Sequence, residues 1–315
     1  QVMGQEQKEK ASLLSVRHLS ISFTRYKGWW KQEQQQAIQD LSLEVRAGEM
    51  VAVVGSSGSG KSLLAHGVMG ILPYNASWEG DIFYKGELLT EDRLRELRGR
   101  EIVLVPQGAS YLNPFMTTGE QVRQGRRDLE SRTQCRKSLE RYGLGAETEL
   151  LYPFQLSGGM ARRVMIAAAV QKRPCLVIAD EPTPGLHKEA AKWVLSHFRE
   201  IAEDGAGVLL ITHDLELAIE TADRIVVFYA GTNLEEAQAG DFAQERQLRH
   251  PYTRALFHAM PGNGFQATAG TQPYKEDFPK GCVYEPRCPW REERCKQPVS
   301  YRQLEGGWVR CWRDL

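Results

Sequence analysis

At 315 residues the chain exceeds one average domain, which favours a main domain carrying an extension. Apolar residues at 42% and charged residues at 25% supply an ordinary folded core and exclude a disordered chain. Forty basic residues balance forty acidic ones, so no global field draws the protein to nucleic acid or anionic lipid, and no nucleic-acid partner is expected. No apolar run approaches the roughly 20 residues that span a bilayer; the longest, 164–170, is short and alanine-rich. The N-terminus is Gln-rich and charged, without a hydrophobic signal segment, and does not begin with methionine. The chain is therefore expected in the cytosol, with any membrane role carried by partners.

In chain order, residues 15–23 and 38–45 alternate apolar and polar side chains and predict two short strands. A polar insert, 27–36, containing Trp29 and Trp30, separates them. Residues 50–54 are continuously apolar, as a strand covered on both faces of a parallel sheet must be. Similar runs recur at 102–105, 175–179, 208–211 and 225–228, with helical patterns between them at 62–72, 160–171 and 189–203. Buried strands alternating with helices predict an α/β fold, whose ligands bind at the carboxyl ends of the strands. The stretch 108–155 reads as a helical insertion. After Gly231 the pattern weakens, and the last 50 residues read as an irregular extension.

The chemistry-bearing residues follow those strands. Gly55, Ser56, Ser57, Gly58, Ser59, Gly60, Lys61 and Ser62 leave the 50–54 strand and open a helix, the strand–loop–helix context of a phosphate loop. Glycines permit a tight wrap that turns backbone N–H groups and the helix N-terminus toward phosphates. Lys61 should contact the β- and γ-phosphates, and the Ser62 hydroxyl Mg²⁺. Asp180 and Glu181 end the 175–179 run; one carboxylate there can serve the Mg²⁺ shell and its neighbour can orient water, although a bare turn cap is the plain alternative. Gln107 and His213 end two further strands, where each could meet a γ-phosphate or its metal, or equally be a solvated loop residue. Leu156, Ser157, Gly158, Gly159 and Met160 open another helix, a second anion-binding N-terminus or an ordinary cap. Two such starts suggest two ligands, or one ligand shared across a dimer.

This set, in this order, resembles an ABC transporter ATPase over residues 15–231. Residues 55–62 are similar to Walker A, Gln107 to the Q-loop, and 156–160 to the signature motif. Residues 175–180 match Walker B, Glu181 the catalytic glutamate and His213 the switch histidine. The resemblance implies a RecA-like P-loop core with an N-terminal antiparallel β subdomain and a helical subdomain near 107–165. Together these make a nucleotide-binding domain over 13–232, followed by a cysteine-rich extension over 233–315. It further implies ATP and Mg²⁺, the latter held by Ser62, Gln107 and Asp180. Two such domains would pack head to tail, so that Ser157, Gly158 and Gly159 serve the partner's ATP. Tyr26 is expected to stack on adenine, with Phe23 and Trp29 as rivals. Two transmembrane permease subunits would hold the chain at the cytoplasmic face of the cell membrane, with an external solute-binding protein acting indirectly.

Met160 ending the signature, Leu112-Asn-Pro after the Q-loop, and the segment from His250 to Leu256 narrow the resemblance to importers of oligopeptides, dipeptides and nickel. The cargo is then expected to be peptides, nickel or metal–chelator complexes. Four of six cysteines fall within the last 35 residues, and in a reducing cytosol such a cluster points to a metal or iron–sulfur site. Their spacing, C-x5-C-x6-C-x15-C, is that of neither common zinc ribbons nor ferredoxins. The branch resemblance assigns Cys282, Cys288, Cys295 and Cys311 to a [4Fe–4S] cluster, with zinc the alternative and free thiols a third reading. One departure stands out: in 182–187 the family's D-loop aspartate is replaced by His187, beside Pro184 and Gly185. That change predicts an unlike partner ATPase and two unequal sites. Soluble ABC ATPases of translation or DNA repair usually carry two fused units or a long coiled-coil insertion, and this chain has neither.

Overall fold

A computed structural model of the chain describes residues 12–27, 31–266, 270–273 and 279–313. The N-terminal part is a hairpin of β1 (Ser12–Lys27) and β2 (Lys31–Arg46), followed by β3 (Met50–Val54) and α1 (Lys61–Val68). Next come β4 (Ala76–Tyr84), β5 (Glu87–Leu88), α2 (Glu91–Leu97) and β6 (Ile102–Val105). A helical stretch holds α3 (Thr118–Val122), α4 (Leu129–Arg141) and α5 (Gly158–Val170). The chain returns to the sheet through β7 (Leu176–Asp180), α6 (Lys188–Glu203), β8 (Gly207–Thr212), α7 (Leu215–Thr221) and β9 (Arg224–Tyr229). It closes with β10 (Thr232–Gln238), α8 (Pro251–Ala259), β11 (Arg302–Leu304) and β12 (Gly307–Val309).

Two sheets result. One is four-stranded, β2-β1-β4-β5, and antiparallel; the other runs β11-β12-β10-β9-β3-β8-β7-β6. In the larger sheet β9, β3, β8, β7 and β6 are parallel. Met50 through Val54 are buried throughout, as are β7, β8 and β9, which explains why these strands read as unbroken apolar runs. Each Val, Ile or Leu side chain taken fully inside contributes about 1.5–3 kcal/mol relative to exposure. The sheet is therefore a rigid base for whatever its edges carry. Helix α6 shows how the flanking layer is specified: Ala191, Val194, Leu195, Phe198 and Ala202 recur on one face and are buried, while Gly205, at φ 105°, takes the chain onward into β8.

Two regions differ from the sequence reading. The polar insert at 27–36 does not interrupt the first hairpin; β1 and β2 pair from Tyr26↔Gln32 inward, and cross-strand bonds link Gln32 to Tyr26, Gln34 to Thr24 and Arg25 to Gln35. Polar side chains on both faces hide such a ribbon from a hydrophobic pattern. Regular structure also continues beyond Gly231, because β10 pairs antiparallel with β9 and then with β12. Its buried Glu235 and Glu236 make it read as a polar loop.

Candidate functional site

The parallel register brings four strand ends to one edge: Val54 lies beside Thr212, Asp180 beside Ile211, and Val105 beside Ala179. Residues 55–62, His213, Asp180 with Glu181, and Gln107 all leave from that edge. The loop after β3 packs against β9 so closely that a Cβ at Gly55 would collide with the Phe228 carbonyl oxygen, and Gly60 holds φ 102° at the start of α1. Lys61, only 5% exposed, folds its ammonium back onto the carbonyl oxygens of Gly55 and Ser56, 2.9 Å from each. The Ser62 hydroxyl donates to Asp180 Oδ1 at 3.0 Å. Ser59 is buried and its Oγ has no partner, while the space in front of Gly58 is open. A hydroxyl without a partner among the described residues and a lysine hydrogen-bonded only to its own loop suit a site that receives a phosphate chain.

Beyond β7, Glu181 adopts φ 48°, a left-handed conformation rare for a residue with a side chain. Its N–H donates to the Ile211 carbonyl at 2.9 Å, and its own carbonyl accepts from Arg162 Nη1 at 2.7 Å. One side-chain oxygen lies 2.5 Å from His213 Nδ1 and the other 3.9 Å from Lys61 Nζ. An ionised carboxylate only accepts, so in that state Nδ1 carries the proton and Nε2 is left as the ring's acceptor. Burial pushes the Lys61 pKa down against the nearby Glu181 and Asp180, and the Asp180 pKa up, with Ser62, His66 and Lys61 opposing and Glu181 adding to the rise. Gln107 is exposed past the end of β6. The structure thus gathers Lys61, Ser62, Asp180, Glu181 and His213, and places Gln107 on the same edge. Arg162 was not singled out from sequence. Its signal was only a cation in the helix that Ser157 begins.

Ser157 is the N-cap of α5, its hydroxyl accepting from the Met160 N–H at 3.2 Å, and Ser157 and Gly158 are exposed. This helix start therefore faces outward. Tyr26, 69% exposed at the far end of β1, bonds Gln32; Phe23 is half-buried; and Trp29 lies outside the described residues. His187 caps α6 by accepting from the Ala190 N–H at 3.2 Å, so the residue in place of the aspartate keeps a capping function.

Comparisons with known proteins agree with this geometry. The ABC transporter family profile matches residues 38–184, and the profile for the C-terminal region of oligopeptide/dipeptide transporters matches residues 234–295. The dipeptide transport ATP-binding protein DppD of Haemophilus influenzae is 37% identical, over 91% of this chain and 90% of its own length. The oligopeptide transport ATP-binding protein AppD of Bacillus subtilis is 33% identical, over 96% of this chain and 97% of its own length. This chain belongs to the ATP-binding proteins of the oligopeptide/dipeptide ABC transporter family. The ATP-binding cassette MJ0796, solved as a dimer in a post-hydrolysis state with ADP and Pi, shares 27% identity and a TM-score of 0.62. That match covers 72% of this chain and 98% of the cassette. The fold is accordingly that of an ABC ATPase, and the activity an ATPase coupled to transport. Among the described residues no helix is long and apolar enough to cross a membrane.

The cysteines give a mixed result. Cys282, Cys295 and Cys311 are buried, Cys288 half-buried, and none forms a disulfide. Burial pushes the Cys282 thiol up to about 12, and the nearby sulfurs of Cys311, Cys288 and Cys295 add to the rise. Burial likewise raises Cys288 and Cys311, with neighbouring thiols contributing. Four thiols within electrostatic range suit a cationic centre by their chemistry. Their arrangement does not: among the described residues no group of three or more His, Cys, Asp or Glu side chains is placed to hold a metal ion. The sequence expectation of an assembled four-thiolate site is not met. Cys175, at the start of the 175–179 run, is half-buried and lies 3.6 Å from Lys85 Nζ.

Proposed function

We propose that this chain binds ATP and Mg²⁺ at the carboxyl edge of its parallel sheet and hydrolyses ATP to power peptide import. The observation that carries this reading is the convergence of Lys61, Ser62, Asp180, Glu181 and His213 from three separated segments. Lys61 neutralises phosphate charge once it exchanges loop carbonyls for phosphate oxygens. Ser62 and Asp180 would hold Mg²⁺, with Gln107 completing the set; when bound, the ion screens the charge that develops on the transferred phosphate. Glu181, fixed through His213 and its own backbone, orients and polarises the attacking water. His213 senses the γ-phosphate through Nε2. Ser157 and Gly158, exposed at the start of α5, and the half-buried Gly159 beside them serve the nucleotide of a second ATPase. Tyr26 is the proposed adenine platform.

The nucleotide-binding domain is proposed to span 13–232, with 233–315 as its extension. The partner ATPase is proposed to be unlike this chain, because His187 replaces the usual aspartate beside Pro184 and Gly185. Permeases dock, in this reading, at an apolar groove of about 520 Å³ next to the Gln107 segment, lined by Met69, Ile71, Tyr111, Leu112, Met116 and Met165. They hold the chain on the cytoplasmic face of the membrane, where a solute-binding protein outside supplies the cargo. Peptides are the favoured cargo; nickel and metal–chelator complexes are the alternatives. A [4Fe–4S] cluster, or zinc, on Cys282, Cys288, Cys295 and Cys311 is retained as a proposal on the donor set alone, and no step of hydrolysis is assigned to it.

Phosphate release by the assembled transporter tests the central reading. Glu181→Gln should turn over about 10²- to 10³-fold more slowly than wild type, while both bind ATP; turnover near the wild-type rate in the variant would overturn it. Anaerobic purification tests the cofactor. About four irons per chain with a band near 400 nm are expected for the cluster, whereas one zinc without colour would replace it, and neither metal would leave free thiols.

A further inference from the structure

We infer that Arg162 is a positioning residue of the hydrolytic site, through which this chain's α5 holds its own Glu181. The inference rests on the reading of Glu181 as the water-orienting group. Three bonds fix Glu181. Two come from β8 and the residue after it: the Ile211 carbonyl takes the backbone N–H, and His213 takes the carboxylate. The third comes from a different layer, where Arg162 Nη1 donates to the backbone carbonyl at 2.7 Å.

That carbonyl needs a donor because the left-handed conformation at Glu181 turns the backbone out of the strand ladder. Arg162 is half-buried and forms no ion pair among the described residues, so its guanidinium is not committed to a carboxylate elsewhere. The adjacent Arg163 is used differently. It bonds the carbonyls of Gly159, Tyr142 and Gly143 and sits over Trp193, tying α5 to the end of α4 and to α6. Neighbouring arginines thus grip opposite layers: Arg163 the helices, Arg162 the end of β7.

Helix α5 meets the segment after β7 at a second point, since a side-chain carbon at Gly159 would stand 3.7 Å from Leu186. Gly159 belongs to the exposed helix start that serves the partner's nucleotide. A shift of α5 on nucleotide binding there moves Arg162 relative to Glu181. One hydrogen bond therefore links occupancy of the partner's site to the aim of this chain's own water-orienting carboxylate. Because the bond is to a backbone carbonyl, Arg162 affects turnover by holding Glu181, without touching phosphate.

The test compares wild type, Arg162→Met, Arg162→Lys and Glu181→Gln in the assembled transporter, measuring kcat, ATP affinity and melting temperature. Arg162→Met should lower kcat about tenfold, the loss of one positioning hydrogen bond to a strongly directional site, with ATP affinity within twofold and melting lowered by only a few degrees. Arg162→Lys, which keeps one donor, should recover part of the loss. A kcat within twofold of wild type for Arg162→Met overturns the inference. So does a joint fall of affinity, melting temperature and kcat that Arg162→Lys does not relieve, which marks a purely structural arginine. Should Glu181→Gln itself turn over near the wild-type rate, the reading of the site fails and takes the inference with it.

Discussion

Two groups of buried charges sit on the same eight-stranded sheet and are satisfied in opposite ways. At the antiparallel end, Arg224 reaches Glu49 at 2.7 and 3.1 Å, the Glu44 carbonyl at 2.7 Å, and Glu236. Burial works against the Arg224 charge, but Glu49 and Glu236 more than restore it and shift its pKa upward. Glu235, fully buried, accepts from the backbone N–H groups of Arg249 and His250 at 2.8 and 2.7 Å. At the parallel end, Lys61 has loop carbonyls and a carboxylate at 3.9 Å, Asp180 has one serine, and Ser59 Oγ has nothing. The charges of the first group are each paired, and they hold β9, β10 and the start of α8 together. The second is incomplete: apart from the Glu181 carboxylate, Lys61 has only its own loop and Asp180 only a hydroxyl, whereas burial pushes carboxylates toward neutrality at both ends. Buried charge that is already paired does structural work; buried charge left short of partners waits for a ligand.

Substitutions at either end should break that contrast in different observables. The largest effect is expected from Lys61→Ala or Glu181→Gln, with turnover down by about 10²- to 10³-fold and melting temperature nearly unchanged. A parallel phosphate-release and thermal-melting series checks this. Next, Glu235→Ala removes a buried acceptor of two backbone donors and should cost about 3 kcal/mol. Denaturant unfolding should show it, while ATP affinity of the folded fraction stays as in wild type. A smaller effect of opposite sign is expected from Asp180→Asn, which should raise stability by about 1 kcal/mol at neutral pH while abolishing Mg²⁺-dependent turnover. The sign follows from linkage. Burial raises the Asp180 pKa above its usual 3.8, so its contribution is favourable when protonated and is lost as pH rises through the folded value. The gain from asparagine should therefore shrink as pH is lowered, and a gain that grew in acid would refute the assignment. The smallest effect is predicted for His187→Asp: both residues cap α6, so melting should move by less than about 1 kcal/mol equivalent, as calorimetry would show.

Legibility in the sequence divides along the same line. The parallel strands advertise themselves because both faces are covered, and residues 55–62 announce a phosphate loop by glycine spacing after one of them. Strand β10 stayed hidden because its Glu235 and Glu236 look like solvent-facing residues until Arg249 and Arg224 are seen against them. The long ends of β1 and β2 stayed hidden for a related reason: Arg25, Gln32, Gln34 and Gln35 pair across the strands through polar side chains. The Arg162–Glu181 contact joins residues of two elements through a backbone carbonyl, and no spacing in the chain encodes it. Conversely, the cysteine spacing suggested more than the structure assembles, because four thiols in one region need not converge on a point.

The central claim is that the carboxyl-edge charges are kept incomplete for Mg-ATP, and thermal melting with and without Mg-ATP tests it most directly. Nucleotide at about a hundredfold over Kd should stabilise wild type by about 2.7 kcal/mol, or roughly 5 °C. Lys61→Ala should lose that shift, whereas a variant at the other end, Glu235→Gln, should keep it from a lower starting point. A shift that survives Lys61→Ala, or that Glu235→Gln abolishes, would contradict the account.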